Sequence, residues 1–415
     1  MDFILNPTQQ SPRITVSVGP GPYVQDLIHV LASEGLLERV IYSWPDLRVL
    51  IRDAQSGHLQ TQYQADWFRH FVRFVWGAWR MLPGIGCSEH PRLWVDQVYD
   101  HVASHHLGTP DIFLGWSQVS LHSMEVAKKN GATVVLENPM LHVDEWQRLI
   151  PEECRKWGVD PGACYSVVPN DMAGRMRREY EIADRIMTPS SAAVDSFISA
   201  GITPEKILKV HFGVDTEMFH PMGTTEDQPH RPFRVLYVGR LELLKGLPYL
   251  LEAWQSAKLE NSELLLVGRR LPEIEPVLHK FAANNIRVLN EVPRNQLPAL
   301  YNAADLLVFP TLCDGFGIVL LEAMACGLPV IATNNCGGPD CIKEGTNGFL
   351  VPICNSISIA DKLHVLHHDR EILRAMRSEA RQMVENHFKL KNYQRNLVKC
   401  YRELFHTSTK FAPSV

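Results

Sequence analysis

The chain has 415 residues, 45% of them hydrophobic and 21% charged, the profile of an ordinary globular protein with two or three domains. Its 46 acidic and 41 basic side chains leave a net charge of −5, which argues against the basic field of a nucleic-acid-binding surface. No uninterrupted apolar run reaches the roughly eighteen residues of a membrane-spanning helix. Nine cysteines, an odd number, fit a reducing compartment better than a disulfide framework.

The N-terminus, MDFILNPTQQSPR, lacks the basic start and apolar core of a signal peptide. RITVSV at Arg13–Val18 is the first expected strand. Gly19-Pro20-Gly21-Pro22 follows it, a partial glycine fingerprint with Val24 in the sixth place and prolines that remove N–H donors. Between Asp66 and Gly84, Arg69, Arg73, Gly77 and Arg80 fall on one helical face while aromatic and aliphatic side chains cover the rest. Such a helix suits a core, the lining of a cleft or a subunit contact; it also suits a membrane interface over residues 67–82. The acidic chain offers little extra pull toward anionic lipid, which favours the first group of readings.

TVVLEN at Thr133–Asn138 is a further strand, with His142 just beyond its end and Glu137 and Asp144 on either side to orient the ring. RIMTPS at Arg185–Ser190 and KVHFGV at Lys209–Val214 continue the series. MGTTEDQPHRP at Met222–Pro232 is polar, proline-bearing and aperiodic, the expected interdomain linker. RVLYVG at Arg234–Gly239 then ends in a glycine and runs into GRLELLKG. There Arg240 offers a planar fork and Lys245 a point charge beyond a strand end, a pairing suited to a diphosphate. Adjacent Gly-Lys-Ser/Thr is missing, so the segment is not a P-loop.

LLLVG, LLVFP and PVIAT are the remaining strands. Between the last two lies DGFGIVLLEAMACGLP, Asp314–Pro329, which sets Asp314 and Glu322 eight positions apart around a Gly-Phe-Gly turn that opens a helix at Ile318. Gly315 and Gly317 are expected to let the backbone approach a ligand, and the first free N–H groups of the helix to serve hydroxyls. Gly327 and Pro329 mark its end. Five cysteines between Cys313 and Cys354 have long, irregular spacings and no C-x2-C pair, so free thiols are expected rather than a zinc site. Glu385–Phe405 reads as one helix. Alternation of strands and helical stretches gives an α/β protein with parallel sheets.

From Val235 to Val351, the G-R-x-x-x-x-K-G loop, SELLLVG, LYNAADLLVFPT, the acidic-x7-Glu segment and GGPDCIKEGTNGFLV together resemble the retaining glycosyltransferases of family 4. Weaker matches reach into the first half. The family usually has Glu where this chain has Asp314, one methylene shorter. The resemblance implies the GT-B architecture: two Rossmann-like, doubly wound domains facing each other across a cleft, with the C-terminal helix crossing back. Its boundaries would be 1–221, a linker 222–232, a donor domain 233–390 and a returning helix 391–415. It implies retaining transfer of a hexose from a UDP- or GDP-sugar to a hydroxyl of a glycan, lipid or small molecule, with no essential metal and no cofactor. His142, Arg240, Lys245 and Asp314 would then serve the reacting centre. Gly19, Gly21, Gly239, Val292, Gly315, Phe316, Gly317, Ile318 and Glu322 would hold the donor, Glu322 through the ribose hydroxyls. The expected setting is cytoplasmic, with peripheral contact at the inner face of a membrane through residues 67–82 as the alternative. The competing readings are a non-catalytic sugar-nucleotide scaffold, motivated by Asp314, and another enzyme of the same architecture such as an epimerase or phosphorylase.

Overall fold

A computed structural model describes residues 11–18, 23–44, 48–53, 59–61, 91–223 and 231–409. Gly19 and Gly21, the arginine-bearing segment 66–84 and most of the expected linker lie outside the described residues. Two compact units form, each an α/β layer structure. The first comprises Met1–Asn138, Pro169–Met187 and Gln394–Val415; the second comprises Pro139–Val168 and Thr188–Tyr393.

In the first unit the strands are β1 (Ile14–Val18), β2 (Leu37–Trp44), β3 (Arg48–Asp53), β4 (Leu59–Thr61), β5 (Ile112–Trp116), β6 (Thr133–Glu137) and β7 (Arg185–Thr188). They run in the order β4-β3-β2-β1-β5-β6-β7. Strands β1, β2, β5, β6 and β7 are parallel, while β3 pairs antiparallel with both β2 and β4. Strands β1 and β5 are buried along their whole length, the pattern of a parallel sheet covered on both faces. Asp100, fully buried, receives the N–H groups of His122 and Ser123 at the start of the helix Leu121–Lys129, and Arg175 supplies its countercharge.

In the second unit, after a short β8 (Ile207–Lys209), six parallel strands follow: β9 (Phe233–Val238), β10 (Ser262–Val267), β11 (Ile286–Leu289), β12 (Leu306–Phe309), β13 (Val330–Thr333) and β14 (Gly348–Val351). Their order is β11-β10-β9-β12-β13-β14, so the chain winds outward from β9 and then starts again on its other side at β12. That reversal opens a crevice beyond the carboxyl ends of β9 and β12. Residues 139–168 and 188–221 pack here rather than with the sequence-adjacent first domain. Residues 139–168 are held by a polar knot: Tyr249 meets both oxygens of Glu153 at 2.8 and 2.7 Å, and Lys156 donates to Tyr249 Oη at 2.8 Å. Trp157 stacks edge-on against Tyr249 and Phe281.

The helix expected from Ile318 spans Ile318–Ala325 and stops before Gly327, which sits at φ 74°. Two expectations differ from the structure. The strand placed at 209–214 is Ile207–Lys209 instead, because the backbone beyond it turns to pair with a distant segment: Val214 N–H donates to Phe388 O and Leu390 N–H to Val214 O, both at 2.9 Å. The same contact interrupts the C-terminal helix, which becomes Arg370–His387 and Leu390–Thr409. From Gln394 that last helix groups with the first unit. The eight described cysteines are free thiols. Among the described residues no helix is long and apolar enough to cross a membrane.

At the amino ends of the strands in the second unit, buried Asp305 gathers several donors. Arg231 reaches its two oxygens at 2.7 and 2.5 Å, Arg234 N–H at 2.9 Å and Arg377 at 3.3 Å. This ties the helix Arg370–His387 to the start of β12. Replacing Asp305 by alanine removes the shared acceptor and is expected to cost about 3–5 kcal/mol of stability. Urea unfolding at neutral pH checks this, and a loss under about 1 kcal/mol would make the cluster incidental.

Candidate active site

Strand β9 ends at Val238, and its loop is stitched to both neighbouring strand ends. Leu241 N–H donates to Arg269 O beyond β10, and Leu312 N–H donates to Leu244 O from beyond β12, each at 2.9 Å. The Leu243–Lys245 turn closes on Gly246 at φ 65°, a left-handed conformation open to glycine. A Cβ there would also lie 1.9 Å from Pro310 O. This close approach brings Lys245 onto Asp314, Nζ to Oδ2 at 2.5 Å, with both side chains largely buried. Arg240 stands on the more open side of the loop. It pairs with buried Glu242 at 3.0 Å and lies over the ring of Tyr165, while Tyr237 Oη donates to its carbonyl. Gly239 is the hinge between strand and loop, at φ 150°.

The acidic segment departs from expectation in three places. Phe316 N–H, expected to serve a sugar, donates to Asp314 Oδ1 at 3.1 Å, because an aspartate folds readily onto the amide two residues on. The room left by Gly315 is taken by the protein itself: a Cβ would sit 1.8 Å from Pro139 O. Gly317, at φ 80°, makes way for the ring of Phe309. The Phe316 side chain is core, 1% exposed and packed among His211, Phe212 and Phe388. Ile318 begins the helix directly after it.

Glu322 lies inside that helix, 2% exposed. Arg294 Nε donates to its Oε1 at 3.1 Å and Tyr301 Oη to its Oε2 at 3.0 Å. Burial pushes its carboxyl above the usual range, and Arg294 and Tyr301 oppose that push. The two carboxylates therefore have separate partners, Lys245 for Asp314 and Arg294 with Tyr301 for Glu322.

His142 caps the helix Val143–Lys156, its Nδ1 accepting from Asp144 N–H at 3.2 Å, with its ring edge-on to Phe197. It borders a cavity of about 530 Å³ that Asp144, Arg148, Ser196 and Asn335 also line. Asn335 O accepts Asp314 N–H at 3.0 Å, so the cavity and the acidic turn share one loop. Val292 follows β11, half-buried. Immediately before it, Asn290 and Glu291 line a cavity of about 510 Å³ with Arg269 and Arg270. No motif in the sequence marks these two arginines, Arg294 or Tyr301 as site residues. A signal for the first pair exists, since the β10 end LVGRR repeats the glycine-arginine exit of β9.

Residues 225–383 match the family model described as glycosyl transferases group 1. The chain is 31% identical over 249 residues to D-inositol 3-phosphate glycosyltransferase 1 of Catenulispora acidiphila, covering 55% of this chain and 59% of that protein. It is 29% identical to a sulfoquinovosyl transferase of Arabidopsis thaliana, over 55% of this chain and 46% of the relative. The chain thus spans about half the length of the curated relatives it matches. Among solved structures, sucrose-phosphate synthase from Thermosynechococcus elongatus superposes with a TM-score of 0.68 at 19% identity, over 95% of this chain and 100% of that one. Anabaena HepE in complex with UDP gives 0.60 at 18% identity, over 94% and 99%. The two-unit α/β fold expected from the resemblance is present, and residues 225–383 are similar to the group 1 glycosyl transferases.

Proposed function

We propose that the protein is a retaining glycosyltransferase of family 4, moving a hexose from a UDP- or GDP-sugar to a hydroxyl acceptor without an essential metal. The observation that carries this reading is the Lys245–Asp314 ion pair, on the loop that also presents Arg240 where the second sheet reverses direction, inside the matched segment. Arg240 and Lys245 would hold the diphosphate and stabilise the charge that develops on it as the sugar departs. Two fixed cations then fill the part that a magnesium ion plays at other phosphate sites. Asp314, bonded to Lys245, would meet the sugar hydroxyls, so sugar and diphosphate contacts share one ion pair. Glu322 would take the ribose hydroxyls while Arg294 and Tyr301 hold its carboxylate in place. Val292 and the Arg269–Glu291 cavity would receive the base.

Departure of the diphosphate leaves an oxocarbenium-like sugar, as in glycoside hydrolysis. In the front-face route, the leaving phosphate oxygen takes the acceptor's proton as the acceptor oxygen attacks. His142 and the cavity beside it supply the neighbouring polar surface. The fold neighbour HepE is described in complexes with UDP and UDP-glucose, which makes UDP-sugars the first donors to test.

A thermal-shift screen with UDP-, GDP-, ADP- and CDP-sugars is the direct test. A donor at a hundred times its dissociation constant adds about 2.7 kcal/mol, a shift of a few degrees. The shift is expected with one nucleotide, to persist in EDTA and to vanish in an Arg240→Ala/Lys245→Ala double variant; no shift with any donor would sink the reading. In turnover assays each single cation variant should lower kcat/KM on the order of a hundredfold. Glu322→Gln is expected to raise the donor KM by about tenfold with a smaller change in kcat, since it alters binding rather than the departing charge. Equal effects on both parameters would move Glu322 to the reacting centre.

A further inference from the structure

Behind Arg240 lies an arrangement that donor binding alone does not require. Glu242 is fully buried and Glu273 is 5% exposed. Both carboxylates converge on the hydroxyl of Ser166, whose Oγ is 3.3 Å from Glu242 Oε2 and 3.3 Å from Glu273 Oε1. One hydroxyl has one proton to give. If both carboxylates were ionised, one of these contacts would set an oxygen lone pair against a buried anion. A proton on Glu273 satisfies both contacts: the carboxyl donates to Ser166 Oγ, and Ser166 donates to Glu242. The outer oxygen of Glu273, Oε2, is buried and has no hydrogen-bond partner among the described residues, which a neutral carboxyl tolerates better than an anion.

We propose that Glu273, Ser166 and Glu242 form a proton-sharing relay that fixes a single negative charge behind Arg240 and so sets how firmly the arginine is offered to a diphosphate. The inference rests on the reading of Arg240 as a diphosphate ligand, and it makes Glu273 a positioning residue. The surrounding groups agree with one shared proton. Arg240 is the cation on Glu242, and it is half exposed. Tyr237 faces Glu242 with its phenol held neutral by burial. On the other side Glu273 faces the thiols of Cys154 and Cys164, with Glu153 and Arg155 beyond them. Burial, with Glu242 adding to it, holds the Glu273 carboxyl above the usual range against the Ser166 hydroxyl and the N–H groups of Glu273 and Tyr165. Above its own ionisation the relay would carry two charges, gripping Arg240 more tightly and repelling an incoming diphosphate.

The sign follows for stability as well. A carboxyl with a raised folded-state value stabilises the fold most at low pH, and that contribution is lost as pH rises from the ordinary carboxyl range through the raised value. The test uses UDP and GDP as probes, with affinity measured by calorimetry from pH 4 to 9 and thermal unfolding of the ligand-free protein recorded over the same range. The wild type is expected to bind about tenfold more weakly at the alkaline end, the size of one unit of differential protonation. In Glu273→Gln, whose amide can still donate to Ser166, the alkaline fall should shrink to below about twofold. Ser166→Ala should keep an alkaline fall but weaken binding throughout. Superimposable pH profiles of wild type and Glu273→Gln, in binding and in unfolding alike, would overturn the relay. If neither nucleotide binds but the unfolding profiles still diverge with pH, the relay stands and the donor reading falls.

Discussion

The site depends on one steric constraint, the contact between the loops that leave β9 and β12. Gly246 lies against Pro310 O so closely that no side chain fits, and Leu244 O takes both Leu312 N–H and Thr311 Oγ. Backbone groups are stiff and obligatory hydrogen-bonding partners, so the two loops act as one piece. Lys245 and Asp314, far apart along the chain, are held in contact for that reason. A parallel sheet that reverses its winding supplies the crevice; the loop contact decides what faces it.

Electrostatics then divide the loop into an inner and an outer cation. Lys245 is mostly buried and paired with Asp314, which fixes its position. Arg240 is half exposed, paired to a carboxylate that is itself buried and backed by a second one. Burying two carboxylates beside one arginine is unfavourable unless a proton or further donors compensate. Tyr165 covers one face of the guanidinium, adding a contact that a solvated surface arginine lacks.

Much of this was legible in the chain. Apolar runs ending in glycine mark β9 and β10, and Ile318–Ala325 is helix from the residue where the pattern changes. Motif spacing singles out Arg240, Lys245, Asp314 and Glu322, and the structure brings Lys245 onto Asp314 while giving Glu322 separate partners. What was not legible comes from side chains that only folding brings together. Ser166 stands 76 residues from Glu242 and 107 from Glu273, and no periodicity links them. Gly315 and Gly317 show the opposite limit. Their presence signals a close approach, but sequence cannot say whether a ligand or Pro139 and Phe309 occupy the space. Strands β2, β3, β4, β5, β11 and β14 also escape a pattern search; β11 and β14 are runs of four residues that periodicity does not separate from buried helix.

The pairing of Val214 with Phe388 and Leu390 has a consequence for how the second unit is closed off. Its two N–H groups are exchanged between backbones far apart in the unit's sequence, the second of them just where one helix ends and the next begins. Val214 is buried, so its amide exchanges only when this pairing opens. Hydrogen exchange at Val214 and Leu390 therefore reports a single opening event, and a chain shortened before Phe388 would expose the strandless segment after β8 to proteases.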